Sequence, residues 1–260
     1  MKAHEIDYVI HGAEMQFIEI GLDPQESVIA EAGAMMMMDQ HIEMETIFGD
    51  GNEQGGFLGK FFSAGKRLVT GESLFMTVFS NNGTMKQNVS FAAPYPGHII
   101  PLDLHALGGK IICQKDSFLC AAKGVSIGIE FNKKIGTGLF GGEGFIMQKL
   151  EGDGLAFAHA GGTIVEKTLS AGETLRIDTG CLVAFTMDVQ YSIEFVKKVK
   201  TALFGGEGLF YAKLQGPGKV WIQSLPFNKF ADRVISASKY GNKDSGSILG
   251  GIADGIGGNL

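Results

Sequence analysis

Proline, cysteine and tryptophan are scarce in this chain of 260 residues, at six, three and one. So few prolines beside 39 glycines exclude a collagenous or proline-rich disordered chain and point to many tight turns. The cysteines Cys113, Cys120 and Cys181 are odd in number and form no C-x-x-C pair, which argues against a disulfide framework or a zinc site. They are expected to be small buried apolar residues in a reducing compartment. Positive charge is also short: 22 Lys and Arg face 28 Asp and Glu, a net charge of −6 that counts against a broad nucleic-acid surface. No apolar run reaches the ~18 residues of a membrane-spanning helix. The opening stretch MKAHEIDYVIHGAEMQFIEI breaks its apolar residues with Glu5, Asp7 and Glu14, unlike a signal peptide. A cytoplasmic location is therefore expected. What remains is 45% apolar and 19% charged, ample for a core and unlike a disordered chain.

Among what is present, internal repetition dominates. LFGGEGFIMQKLEGDG (139–154) and LFGGEGLFYAKLQGPG (203–218) are one segment written twice, 64 residues apart. TGESLFMTVFSNNG (70–83) is a diverged third copy, with Gly71-Glu72 in the place of Gly142-Glu143 and Gly206-Glu207. Upstream, LDPQESVIAEAG (22–33) lies over LSAGETLRIDTG (169–180), pairing Glu26 with Glu173 and Glu31 with Asp178. The middle counterpart is taken as QKDSFLCAAKG (114–124), which keeps only its last glycine. Three units are expected, at 6–92, 99–158 and 159–222, followed by a tail at 226–260. Short runs rich in Val, Ile, Phe and Thr, bounded by Gly, Asp and Asn, predict strands at 73–80, 124–131, 182–189 and 191–196. The expected class is all-β.

The L-x-x-x-E-x-V/L-x-x-E/D-x-G and L-F-G-G-E-G elements, repeated in register over about residues 6–225, resemble the family named for altered inheritance of mitochondria. That family is widespread in bacteria, largely as proteins of unknown function. The resemblance implies a fold similar to the tryptophan RNA-binding attenuation protein, with three double-stranded β-helix-like sandwich units in pseudo-threefold arrangement. It implies no enzyme activity and no catalytic residues. Its mitochondrial members are linked to inner-membrane organisation, a role that does not transfer to a chain without a transit peptide.

Several motifs invite chemistry and do not sustain it. Gly136-Thr-Gly138-Leu-Phe-Gly141 spells G-x-G-x-x-G, but a strand-like FIMQKL follows in place of a helix, and the second copy, KTALFG, lacks the first two glycines. Gly124-Val-Ser126-Ile-Gly128 spells G-x-S-x-G inside an alternating β run, where no strand-to-helix elbow would lift the serine out. The six histidines have no metal-ligand spacing. The MMMMD stretch (35–39) reads as a buried β segment of adaptable side chains. Neither cofactor nor metal is expected.

Two sets of residues remain as candidates. Gly71, Glu72, Gly142, Glu143, Gly206 and Glu207 form the repeated turns. The favoured reading has each carboxylate accept hydrogen bonds from its own turn, and the alternative is a shared carboxylate cluster. Phe57, Leu58, Lys60, Phe61, Phe62, Lys66 and Arg67 form an apolar and basic loop. It reads either as an interaction loop touching a membrane surface, a partner or another subunit, or as a short packed helix or hairpin with solvated cations. The tail places Ile248, Ile252, Ile256 and Leu260 at four-residue steps among helix-weakening glycines, so it is either disordered or held by docking. The expectation is a non-catalytic binding or scaffold protein, homo-oligomeric, with an unidentified protein partner and peripheral membrane contact. The alternative is a regulator that binds a small ligand or nucleic acid, and an enzyme ranks third.

Overall fold

The computed structural model describes residues 2–48, 75–133, 145–195 and 210–237. The protein is all-β, and the described residues form four antiparallel sheets and one short helix at 227–237. The first sheet runs β1 (Asp7–His11), β2 (Phe17–Leu22), β7 (Gln87–Ala92), β4 (Met35–Met38). The second runs β5 (Ile42–Phe48), β6 (Phe75–Asn81), β3 (Ser27–Glu31), β10 (Phe118–Ala122), β13 (Leu155–Gly161), β8 (Gly97–Asp103). The third runs β11 (Ser126–Lys133), β12 (Phe145–Glu151), β9 (Lys110–Gln114), β16 (Leu182–Thr186), β19 (Gly218–Gln223), β14 (Ile164–Leu169). The fourth has β15 (Thr174–Asp178), β18 (Phe210–Gln215) and β17 (Gln190–Phe195). Adding six to each strand number of the second sheet yields the third.

Side-chain alternation places these strands. In β2, Ile18, Ile20 and Leu22 are fully buried on one face, as a period of two requires. β10 is apolar throughout, β16 is apolar up to its last residue, Thr186, and both are buried throughout, the pattern of strands covered on both faces. Turn carboxylates recur as well. Glu26 accepts the backbone N–H of Asp23 at 2.8 Å, and Glu173 accepts that of Ser170 at 2.8 Å. The glutamates matched in sequence thus brace the turns leading into β3 and β15 in the same way.

The pairing registers correspond in detail. Cys120, Ala121 and Ala122 of β10 lie opposite Ala30, Ile29 and Val28 of β3. Ala184, Phe185 and Thr186 of β16 lie opposite Cys113, Ile112 and Ile111 of β9. On their other sides, β4, β10 and β16 all carry a register shift at the same step, between Met35 and Met37, Phe118 and Cys120, and Leu182 and Ala184. These registers set residues 105–116, not 114–124, against 22–33, because β9 occupies the place of β3. Repeated glycines misled the sequence comparison at that point. The stretch 114–124 holds β10, the positional counterpart of β4.

One hydrophobic cluster reaches from Ala3 to Trp221, and a smaller one joins Ile112, Phe145 and Phe185 to Ala212 and Leu214 of β18. The leading residues are strapped down: Ala3 donates to Asp153 Oδ1 at 2.8 Å, His4 N–H to the Lys123 carbonyl at 2.9 Å, and Ser27 N–H to His4 Nδ1 at 2.9 Å. Gly124, at φ +108°, sits under this strap, where a Cβ would lie 2.7 Å from Ala3 Cα. Ser126 opens β11 as a strand residue, so no nucleophile elbow forms. Cys113 and Cys120 are free and buried, whereas Cys181 is only half-buried.

MMMM is a strand, but the expected burial is overturned. All four methionines are exposed, and among the described residues no strand pairs along the outer edge of β4.

Candidate functional site

Gly71, Glu72, Gly142, Glu143, Gly206 and Glu207 lie outside the described residues, as do Phe57, Leu58, Lys60, Phe61, Phe62, Lys66, Arg67 and the tail beyond residue 237. The geometry brings other residues together. Where β3 ends at Glu31, β4 begins at Met35 and β7 ends at Ala92, a cleft of about 370 Å³ opens. Asp116, carried by a single 3₁₀ turn (Lys115–Ser117), and His159 of β13 also line it. The rest of the lining is apolar or small, with Met36, Pro94 and Phe118 prominent.

Burial governs the electrostatics here. The Glu31 carboxyl is pushed up to about 7, first by burial and then by the charge of Asp116, with Lys115 opposing. His159 is pushed down to about 4, chiefly by burial, with the Tyr95 backbone opposing. The imidazole is 1% exposed, and neither ring nitrogen makes a well-formed hydrogen bond. The Tyr95 backbone lies close enough to favour the protonated ring but outside bonding geometry. The Tyr95 ring meets the imidazole edge-on at 4.4 Å, and its hydroxyl is pushed up to about 12 by burial. Near neutral pH the cleft therefore offers a carboxyl group between its two protonation states beside an uncharged imidazole.

The corresponding place at the β9–β16 joint is occupied differently. By register, Gln223 stands where His159 stands, and Gln114 where Glu31 stands. Gln223 donates to the Gly180 carbonyl and accepts from Gly161 N–H, both at 2.8 Å. Asp178 pairs with Lys229 at 3.1 Å, and Leu225 N–H donates to the Gly161 carbonyl at 3.1 Å. Gly161 has no room for a Cβ, which would lie 2.0 Å from the Leu225 carbonyl oxygen. The segment leading into the helix thus fills there what stays open beside Glu31. Sequence reasoning paired Glu31 with Asp178 but had no means to bring His159 to Glu31.

A second hollow of about 490 Å³ lies under the strap at residues 2–6, lined by Asp103, His105 and Asp153. The N–H of Ala3 holds the Asp153 carboxyl below its usual range. Among the described residues no cluster of three His, Cys, Asp or Glu is set to hold a metal ion, and no helix is long and apolar enough to cross a membrane.

The surface feature that contrasts most with the rest is β4. Its relatives in position, β10 and β16, are buried, with Cys120 and Ala184 at 0% exposure, while Met37 is 46% exposed. Met15, Met44, Met85 and Met187 are exposed as well.

Residues 8–225 match the model of the family described as Mitochondrial biogenesis AIM24. The chain belongs to that family. An uncharacterized protein of Streptococcus pyogenes serotype M6 is 33% identical over 222 residues, covering 84% of this chain and 85% of that relative. The X-ray crystal structure of a Streptococcus pyogenes protein superposes with a TM-score of 0.70 at 25% identity, covering 90% of this chain and all of that one. These similarities place the chain among AIM24 proteins without attaching a chemical activity to Glu31, His159 or β4.

Proposed function

We propose that this AIM24 protein is a non-catalytic binding or scaffold protein, built of three like units, that works by strand addition at an open sheet edge. The observation that carries this is β4, a strand with four exposed methionines and, among the described residues, one unpaired edge. An unpaired edge presents free backbone donors and acceptors, and thioether side chains adapt to varied surfaces, so such a strand is suited to holding another polypeptide. The titratable groups lining the cleft are Glu31, Asp116 and His159, with Lys115 close enough to act on the Glu31 charge. The proposal includes a cytoplasmic location, with residues 57–67 as a peripheral contact to a membrane surface. The test compares the native chain with Met36→Lys plus Met38→Lys, by light scattering for its mass and by co-purification for bound proteins. The expected result is loss of association with unchanged circular dichroism. If both mass and bound proteins are indifferent to the charges, the reading fails.

A second reading, a small-ligand-binding regulator, is favoured by the two unpartnered ring nitrogens of His159 at the cleft. A ligand seated there would shift the imidazole resonances of His159 in NMR spectra, and His159→Gln would abolish its binding.

A further inference from the structure

Two strand joints in this chain are closed and serve as templates for a third. At the first, Cys120, Ala121 and Ala122 of β10 face Ala30, Ile29 and Val28 of β3. At the second, Ala184, Phe185 and Thr186 of β16 face Cys113, Ile112 and Ile111 of β9. The next strands in the same positional series are β4, which shares the register shift of β10 and β16, and β15, which follows β3 and β9 and whose turn glutamate matches that of β3. Yet β4 ends the first sheet and β15 ends the fourth, and neither pairs on its outer side among the described residues. Exposure follows: β10 and β16 are buried throughout, whereas β4 is exposed throughout and β15 is exposed or half-buried.

We infer that β15 of a second copy of this chain closes the joint on β4. Both templates assign one register, with Met37 opposite Ile177, Met38 opposite Arg176 and Asp39 opposite Leu175. A second copy is the fitting occupant because the described chain carries one edge of each kind, and the counterparts of β15 and β4 meet at both internal joints. Complementary ends on one molecule make a head-to-tail contact, which repeats until the ring closes. This inference rests on the reading of β4 as the working edge and names what it binds.

The experiment uses the full chain with Cys181→Ser, so that the remaining native thiols are the buried Cys113 and Cys120. Met37→Cys and Ile177→Cys are made separately, mixed and mildly oxidised. A disulfide-linked species of twice the 27.7 kDa chain mass is expected in the mixture, at least tenfold above either variant alone. Light scattering of the unmodified chain is expected to give a whole multiple of that mass greater than one. Mass of a single chain, or a disulfide that forms only within one chain when both cysteines are present, overturns the inference. If the single-chain mass is accompanied by a protein whose binding is lost with Met36→Lys plus Met38→Lys, the scaffold reading stands and only the second copy is excluded.

Discussion

Burial acts in opposite directions on the two titratable side chains of the cleft. Glu31 holds its proton to about pH 7 in the folded protein, against 4.5 for the free group. Between those values the folded state binds more protons than the unfolded, so stability from this residue is full below about 4.5 and falls as pH rises to 7. His159, lowered from 6.5 to about 4, works the other way. The unfolded state binds the extra proton, and stability from this residue is full above 6.5 and falls as pH drops through 4. From pH 4.5 to 6.5 the two contributions offset, each on the order of 2 kcal/mol. Glu31→Gln is therefore expected to make stability rise steadily with pH over that interval, and His159→Gln to make it fall. Urea midpoints measured across the interval check both signs. The glutamine at 159 also copies Gln223, whose amide reaches the carbonyl of Gly180. Its counterpart acceptor is the Asp116 carbonyl, so His159→Gln is expected to be at least as stable as the native chain at pH 7.

At the scale of elements, the ends of strands carry polar groups that must be satisfied when buried. Asn81, fully buried at the end of β6, donates from Nδ2 to the carbonyls of Leu22 and Met85, each at 2.8 Å, and accepts the N–H of Gly83 at 2.8 Å. Asn81→Ala leaves the Leu22 carbonyl without that donor and is expected to cost about 2–4 kcal/mol by urea unfolding, against about 0.5 for Asn82→Ala, whose side chain reaches only Glu43 at the surface. The Asn81-Asn82-Gly83 tripeptide was readable as a turn, as were the strands around it, because turn chemistry and alternation are local properties. The fate of Met35–Met38 was not readable. Apolar character states a preference for burial, but whether a strand is covered depends on a neighbour distant in sequence, and among the described residues β4 has none on one side. The cleft was hidden for the same reason: Glu31, Asp116 and His159 meet only after β3, β10 and β13 have paired. The middle counterpart of 22–33 escaped because β9 keeps the strand position of β3 while Gln114 replaces the carboxylate of Glu31 and Asp178.

For the whole molecule, the sheets are interlocked, not strung together. The second and third sheets each take strands from distant parts of the chain, and the larger cluster draws Ile18 of the first sheet, Phe157 of the second and Trp221 of the third into one core. The smaller cluster then ties the fourth sheet to the third through Phe185 and Leu214. Loss of packing in one sheet exposes apolar surface of the clusters it shares with the next, which is the physical basis of cooperative unfolding. Trp221, the single tryptophan, reports on this directly: it is 3% exposed, and its Nε1 donates to Glu166 at 3.0 Å. Tryptophan emission and far-ultraviolet circular dichroism are expected to follow one urea transition with a common midpoint. A loss of β signal that precedes the tryptophan change would mean that the fourth sheet, tied to the third through the smaller cluster, opens first. That outcome would give β15 a stability lower than that of its counterparts β3 and β9, which are each held between two neighbouring strands.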